Sequence, residues 1–120
     1  MGDTVVARPS AGSELGILAV GPTLALPGGP ATPNSSAPGT LTVTVKVTRG
    51  SVMVRPSDFL ARDRYTRPTR LGTQAKPVLV KAGQTRSISF TGRFLSGRAI
   101  LAWAPAGHRL VVWDFTVEID

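Results

Sequence analysis

The feature that most constrains the fold of this 120-residue chain is the strict alternation Leu41-Thr42-Val43-Thr44-Val45-Lys46-Val47-Thr48. In an extended chain Leu41, Val43, Val45 and Val47 point to one side, and Thr42, Thr44, Lys46 and Thr48 to the other. On a helix the same residues would scatter around every face. The pattern therefore predicts a half-buried strand rich in β-branched residues. The alternation recurs. Val111, Trp113, Phe115, Val117 and Ile119 share one face of a last strand; Leu110, Val112, Asp114, Thr116 and Glu118 share the other. A third strand covers about 85–91, with Ile88 and Phe90 inward and Ser87 and Ser89 outward. A fourth covers 98–104, where Ala99, Leu101 and Trp103 alternate with Ile100 and Ala102; two apolar faces predict a central strand. Shorter candidates lie at 4–7, 15–20, 52–54, 59–61 and 77–80, with Pro77 marking a strand start or an edge. No window has apolar residues at i, i+3, i+4 and i+7 between caps, so helices are not expected.

Breakers separate these strands at Arg49-Gly50-Ser51, Ala82-Gly83-Gln84, Ser96-Gly97 and Pro105-Ala106-Gly107. Short strands with turn signals at such intervals read as an all-β sandwich or barrel. The length suits one domain over 1–120, folding to roughly 6,000 Å² of surface, with about two-thirds of the unfolded area buried. Such a core needs no staple, and the chain has no cysteine with which to make one. Two long gaps interrupt the pattern. Residues 26–39 hold four prolines and predict a mobile loop without a regular ladder; 62–75 predict a basic loop.

The order of the fragments is informative. Arg49-Gly50-Ser51-Val52 is followed by Ser57-Asp58-Phe59 with Ala61-Arg62. Gly83-Gln84 then precedes Ser89-Phe90-Thr91-Gly92, and a closing strand contains Trp113-Asp114. As an ordered set over nearly the whole chain, these resemble the telokin-like immunoglobulin-like domains of bacterial secreted proteins and lipoproteins, related to small secreted mycobacterial antigens. The resemblance implies an immunoglobulin-like antiparallel β-sandwich of about seven or eight strands. It also implies an extracytoplasmic module, secreted or anchored to the envelope, whose targeting segment is not in this chain. The family has no assigned active site, so no catalytic residue carries over. Ser57 and Asp58 are expected to set a turn through side-chain bonds to neighbouring N–H groups and deliver Phe59 inward, and Gly83 to take a positive φ at a corner. The proline-rich 26–39 and the basic segment after Asp63 depart from the family pattern.

The residues for catalysis are missing. The one histidine, His108, lies in a turn with no nucleophile arrangement around it, and there is no Gly-x-Ser-x-Gly elbow. One histidine, no cysteine and scattered carboxylates make no zinc site. Asp114, Glu118 and Asp120 fall on one side of one strand, the pattern of a solvated edge, with weak calcium binding as the alternative. Asn34-Ser35-Ser36 is a formal glycosylation triplet, read as chance. No phosphate loop or dinucleotide fingerprint occurs, nor any apolar run long enough to span a membrane. No enzyme, cofactor or metal is expected. Trp103 and Trp113 are read as core residues.

Charge is the remaining signal. The net charge is +7, and residues 41–81 carry nine basic residues against Asp58 and Asp63, which accounts for all of it. Within that stretch Arg62, Arg64, Arg67 and Arg70 surround Tyr65 as a candidate partner- or anion-binding cluster, with Arg49 and Arg55 nearby in sequence. Arginine forks bind carboxylate and phosphate in a bidentate way, and an aromatic among them can stack on a base or sugar. Three readings stand. The chain is a non-enzymatic immunoglobulin-like module engaging a protein or envelope component, a basic adaptor for anionic polymers or lipids (nucleic acid the less favoured case), or a structural subunit of a larger assembly. Against all of them stands an arginine-rich solvated loop without a partner.

Overall fold

A computed structural model describes residues 1–25 and 35–119. Ten strands follow in order: β1 (Thr4–Ser10), β2 (Ser13–Leu24), β3 (Ser36–Arg49), β4 (Ser51–Val54), β5 (Phe59–Arg62), β6 (Pro68–Thr69), β7 (Val78–Lys81), β8 (Thr85–Leu95), β9 (Gly97–Trp103) and β10 (Val111–Val117). Two single 3-10 turns, Pro56–Asp58 and Pro105–Gly107, complete the regular elements, and no α-helix occurs among the described residues. Every pairing is antiparallel. One sheet has the order β1-β2-β3-β8 and the other β10-β9-β5-β6; β4 and β7 form a separate ribbon. The two main sheets hold eight strands, as expected, and the ribbon brings the total to ten. β9 lies between β10 and β5, which explains why both its faces are apolar.

The period-two patterns set the core. Leu15, Ile17, Leu41, Val43, Val45, Val47, Ile88 and Phe90 line the first sheet's inner face, all at 3% exposure or less. Phe59, Leu101, Trp103, Val111, Trp113, Phe115 and Val117 line the second, and the two sets merge into one apolar cluster. Phe59 joins the layers, its ring centroid 5.3 Å from Phe90 and 6.4 Å from Trp103. Its inward direction comes from the turn before it, but not through the expected side-chain bonds of Ser57 and Asp58. Pro56 opens a 3-10 turn that closes through the backbone, the Phe59 N–H donating to the Pro56 carbonyl and the Asp58 N–H to that of Arg55. Gly83 takes φ 86°, as its corner position requires.

Two loop expectations are corrected. Residues 26–34 of the proline-rich stretch lie outside the described residues, including Asn34 of the glycosylation triplet. Ser36 to Gly39, however, are not loop. They extend β3 and pair with β8 from Leu95 to Gly92. Pro38 takes part as an acceptor, its carbonyl receiving the Ala25 N–H at 2.9 Å. Gly39 leaves the space that Leu24 and Phe94 fill, since a Cβ there would stand 2.8 Å from Leu24. Ala37 and Phe94 are buried, and Phe94 meets Phe115 of the opposite sheet edge-on at 6.5 Å. Fourteen residues of strand span about 46 Å, which accounts for the long axis of the 50 × 22 × 22 Å molecule.

The stretch 62–75 is likewise more ordered than a basic loop. Arg62 pairs with Pro68 and Ala61 with Thr69, so β5 and β6 close a tight hairpin. The chain then crosses to the first sheet, where Gly72 bridges to Thr91 and the Thr73 hydroxyl donates to the Ser89 carbonyl at 2.8 Å.

Candidate anion-binding site

The β5–β6 hairpin turns through residues 63–67, and Asp63 organises it. Short acidic side chains favour turns because they can accept bonds from the backbone a few residues on. Here the Asp63 Oδ1 accepts the Tyr65 N–H at 2.8 Å and the Arg67 N–H at 3.1 Å, while Oδ2 accepts Arg67 Nε at 3.2 Å. The Asp63 N–H donates to the Arg67 carbonyl and the Thr66 N–H to the Asp63 carbonyl, both at 2.9 Å. Thr66 is drawn into the left-handed region, at φ 62°. The Asp63 side chain is only 12% exposed. Burial pushes its pKa up, but the N–H bonds from Arg67 and Tyr65 and the Arg67 charge outweigh this, and the net shift is downward.

The arginines are arranged around this turn. Arg62 Nη1 donates to the Thr66 carbonyl at 2.8 Å. Arg64 Nη2 donates to the Tyr65 hydroxyl at 2.8 Å, and the Arg64 and Arg67 guanidinium carbons lie 4.8 and 4.9 Å from the Tyr65 ring centroid. Such contacts hold a guanidinium in place at modest energy, about 0.5–1 kcal/mol when exposed. Tyr65 therefore already carries the arginines on its ring. Of the five residues singled out in the sequence, the fold brings Arg62, Arg64, Tyr65 and Arg67 together. Arg70 lies past β6, where its backbone runs beside Gly92. Arg49 is at the end of β3, donating to the Ala11 carbonyl at 3.2 Å, and Arg55 is next to Asp58, whose carboxyl is raised by burial with Arg55 acting against it.

Sequence reasoning missed one member, Arg98. The Arg64 stem rests on Gly97, its Cδ 2.7 Å from where a Cβ would be, so the hairpin leans against the start of β9. Register completes the set: Arg62 pairs with Ile100, and Ile100 with Asp114. A cavity of about 230 Å³ lies between them, lined by Arg62, Arg64, Thr66, Arg98, Ile100 and Asp114, together with Asp63. Arg98 Nη2 stands 3.9 Å from Asp114 Oδ1, with the two side chains 81% and 69% exposed. No local signal in the sequence links Arg98 to Arg62, because β-sheet register alone joins them.

Asp120 of the suggested carboxylate row lies outside the described residues, and no group of three metal-ligating side chains forms among those described. His108 is exposed at the end of its turn. Among the described residues no helix is long and apolar enough to cross a membrane.

The lowered pKa of Asp63 gives a signed expectation. A depressed carboxylate stabilises the structure above its unfolded pKa, and that contribution is lost as pH falls through the folded value. The hairpin should therefore loosen only below the ordinary value of 3.8. Amide NMR shifts of Tyr65 and Arg67 are the readout. They should move toward random-coil positions on acidification, before the core amides, and Asp63→Asn should abolish that step. Unchanged shifts down to global unfolding would contradict the assignment.

No protein-family model matches the chain, and no curated protein matches it. Two solved structures share its fold. One is MPT63, a secreted protein from Mycobacterium tuberculosis, 18% identical, with a TM-score of 0.67 over 94% of this chain and 92% of that one. The other is the candidate lipoprotein YcdA from Bacillus subtilis, 13% identical, with a TM-score of 0.67 over 97% of this chain; the match spans 39% of the YcdA chain. At these identities the likeness concerns the β-sandwich fold.

Proposed function

We propose that the chain is a non-enzymatic, extracytoplasmic immunoglobulin-like module of the telokin-like kind that engages an acidic protein or envelope component through the β5–β6 hairpin. One observation carries this reading. The carboxylate of Asp63 is used up inside the turn, so the hairpin presents guanidiniums outward. The surrounding face supports it. Leu60 and Val112, 46% and 47% exposed, flank Ala102 on the same outer surface, an apolar row beside the row of Arg62, Ile100 and Asp114. A mixed surface of this kind suits a protein partner better than a purely basic patch would. The extracytoplasmic placement rests on the two fold neighbours, one secreted and one a candidate lipoprotein, and fractionation of cells expressing the native gene with its upstream sequence tests it.

The second reading, a basic adaptor for anionic polymers or lipids, draws on the net charge of +7. Both readings require charge-dependent binding. Salt shrinks the screening length from about 10 Å at 0.1 M to about 3 Å at 1 M. Titration with a carboxylated polyanion at low ionic strength should shift the amides of residues 62–67 and 98, and high salt should reverse the shifts. Replacing Arg64 and Arg67 together with glutamate should weaken binding at least about tenfold, while Arg49→Glu, at the other end of the molecule, should not. Binding indifferent to ionic strength, or mapped away from the hairpin, would overturn the proposal.

A further inference from the structure

We infer that the free edge of β10 is a docking site for an extended segment of a partner protein, added as a further antiparallel strand with a lysine or arginine opposite Asp114. The four outer strands of the two main sheets are not alike. An exposed strand edge is a template for pairing, and proteins blunt such edges with bulges, prolines, cationic side chains or a covering segment. β1 has a register shift between Ala7 and Ser10 and carries Arg8 and Pro9 there. β8 is covered in its middle, where Gly72 and Thr91 exchange backbone bonds at 2.7 Å and the Thr73 hydroxyl donates to the Ser89 carbonyl. β6 is two residues long and begins with Pro68. β10 has none of these devices. Its seven residues, Val111–Val117, pair with β9 without a register shift and include no proline, glycine, lysine or arginine.

The backbone of that edge faces outward at alternate residues. The Asp114 carbonyl accepts a bond at 3.4 Å from the Met1 ammonium, which is outside the sheet. It therefore points away from β9, and by the alternation of an antiparallel ladder so do the N–H and C=O groups of Val112 and Thr116. The long, exposed Met1 contact is readily replaced by a paired strand. The side chains select the occupant. A second copy placed antiparallel so that all three residues bond sets Asp114 directly against its own counterpart, and like charges in that position destabilise a pair. The same carboxylate attracts a cationic side chain, so one residue rejects the chain itself and favours a different strand. On the same face Val112 and Leu110, 47% and 40% exposed, favour an apolar β-branched residue two positions from the basic one. Arg98 reaches Asp114 at 3.9 Å from the β9 side and leaves its other side open to the added strand. Arg62, on β5, is three strand spacings from that strand, about 14 Å, beyond the screening length of about 8 Å at physiological salt. Strand addition takes its affinity from main-chain bonds and its specificity from alternate side chains.

The probe is the peptide Ser-Thr-Val-Lys-Val-Val-Ser, acetylated and amidated, titrated into the isotopically labelled chain at about 0.15 M salt. Placed antiparallel with its lysine opposite Asp114, it sets its last valine opposite Val112 and its threonine opposite Thr116. The amides of Val112, Asp114 and Thr116 should shift, and their hydrogen exchange should slow. N-methylation of the peptide at the threonine, the lysine and the last valine, whose N–H groups face β10, should abolish binding; N-methylation at the other two valines should not. Exchanging the peptide lysine for glutamate should weaken binding about tenfold, and Asp114→Lys should reverse that preference. The docking edge is overturned if the two N-methylated peptides bind alike, if the shifts fall on residues 62–67 instead, or if the lysine peptide does not bind at about 1 mM. It is also overturned if the chain alone dimerises with the same three amides protected, since the occupant is then a second copy.

Discussion

Replacing Trp103 with alanine is expected to lower the stability of the fold by about 3–5 kcal/mol, the range for removing a large aromatic from a packed core. Trp103 is fully buried, stacks on Phe59 and is the last residue of β9, where it pairs with Val111 of β10 and Phe59 of β5. Small domains have only about 5–15 kcal/mol in total, so the variant should lose a large share of its stability. Trp103→Phe provides the contrast. The Trp103 indole N–H is buried without a hydrogen-bond partner among the described residues, and such an unpaired donor costs about 1–3 kcal/mol. Phenylalanine removes that penalty while leaving a smaller cavity, so its net effect should stay within about 1.5 kcal/mol of wild type. Urea unfolding followed by tryptophan fluorescence from Trp113 gives both values. An alanine variant within 1 kcal/mol of wild type, or a phenylalanine variant as damaged as the alanine one, would show that Trp103 does not have this role.

The second large effect is expected at Gly50, which links β3 to β4 with φ 70°. A left-handed backbone costs an L-residue roughly 1–2 kcal/mol. Space is the greater obstacle. A Cβ at Gly50 would be driven into the Gly12 carbonyl oxygen, and would stand 3.3 Å from Ser13 Cα, at the β1–β2 turn. Both obstructing groups are backbone, so relief requires moving that turn away from the crossover. Gly50→Val should cost about 3 kcal/mol or more, read as a lower urea midpoint at an unchanged slope. Gly83→Val is the matched control, since φ is 86° there but nothing lies within 4 Å of the added carbon. It should show only the backbone cost. Equal losses at the two positions would mean that the contact with Gly12 has no weight.

Much of this fold was legible from local pattern, because side-chain direction in a strand depends only on residue parity. The inward sets on β3, β8, β9 and β10 follow from alternation, as does the central position of β9. What failed did so where a composition rule met a tertiary partner. Proline and glycine at 38 and 39 argue against a strand in isolation, yet β8 supplies the ladder, and Leu24 and Phe94 need the space that Gly39 leaves. The turn before Phe59 was placed correctly but closed by different atoms, since Pro56 makes a backbone 3-10 turn easier than side-chain bonds.

The candidate site divides in the same way. By itself the sequence determined the strands, their inward faces, and an arginine cluster around Tyr65, because these depend on neighbours along the chain. Only the tertiary structure decided that Asp63 is consumed within the hairpin, that Arg70 lies apart from it, and that Arg98 and Asp114 complete a cavity with Arg62. Cross-strand register places those side chains, and register is fixed by how the two sheets bury their inner faces together rather than by any local preference.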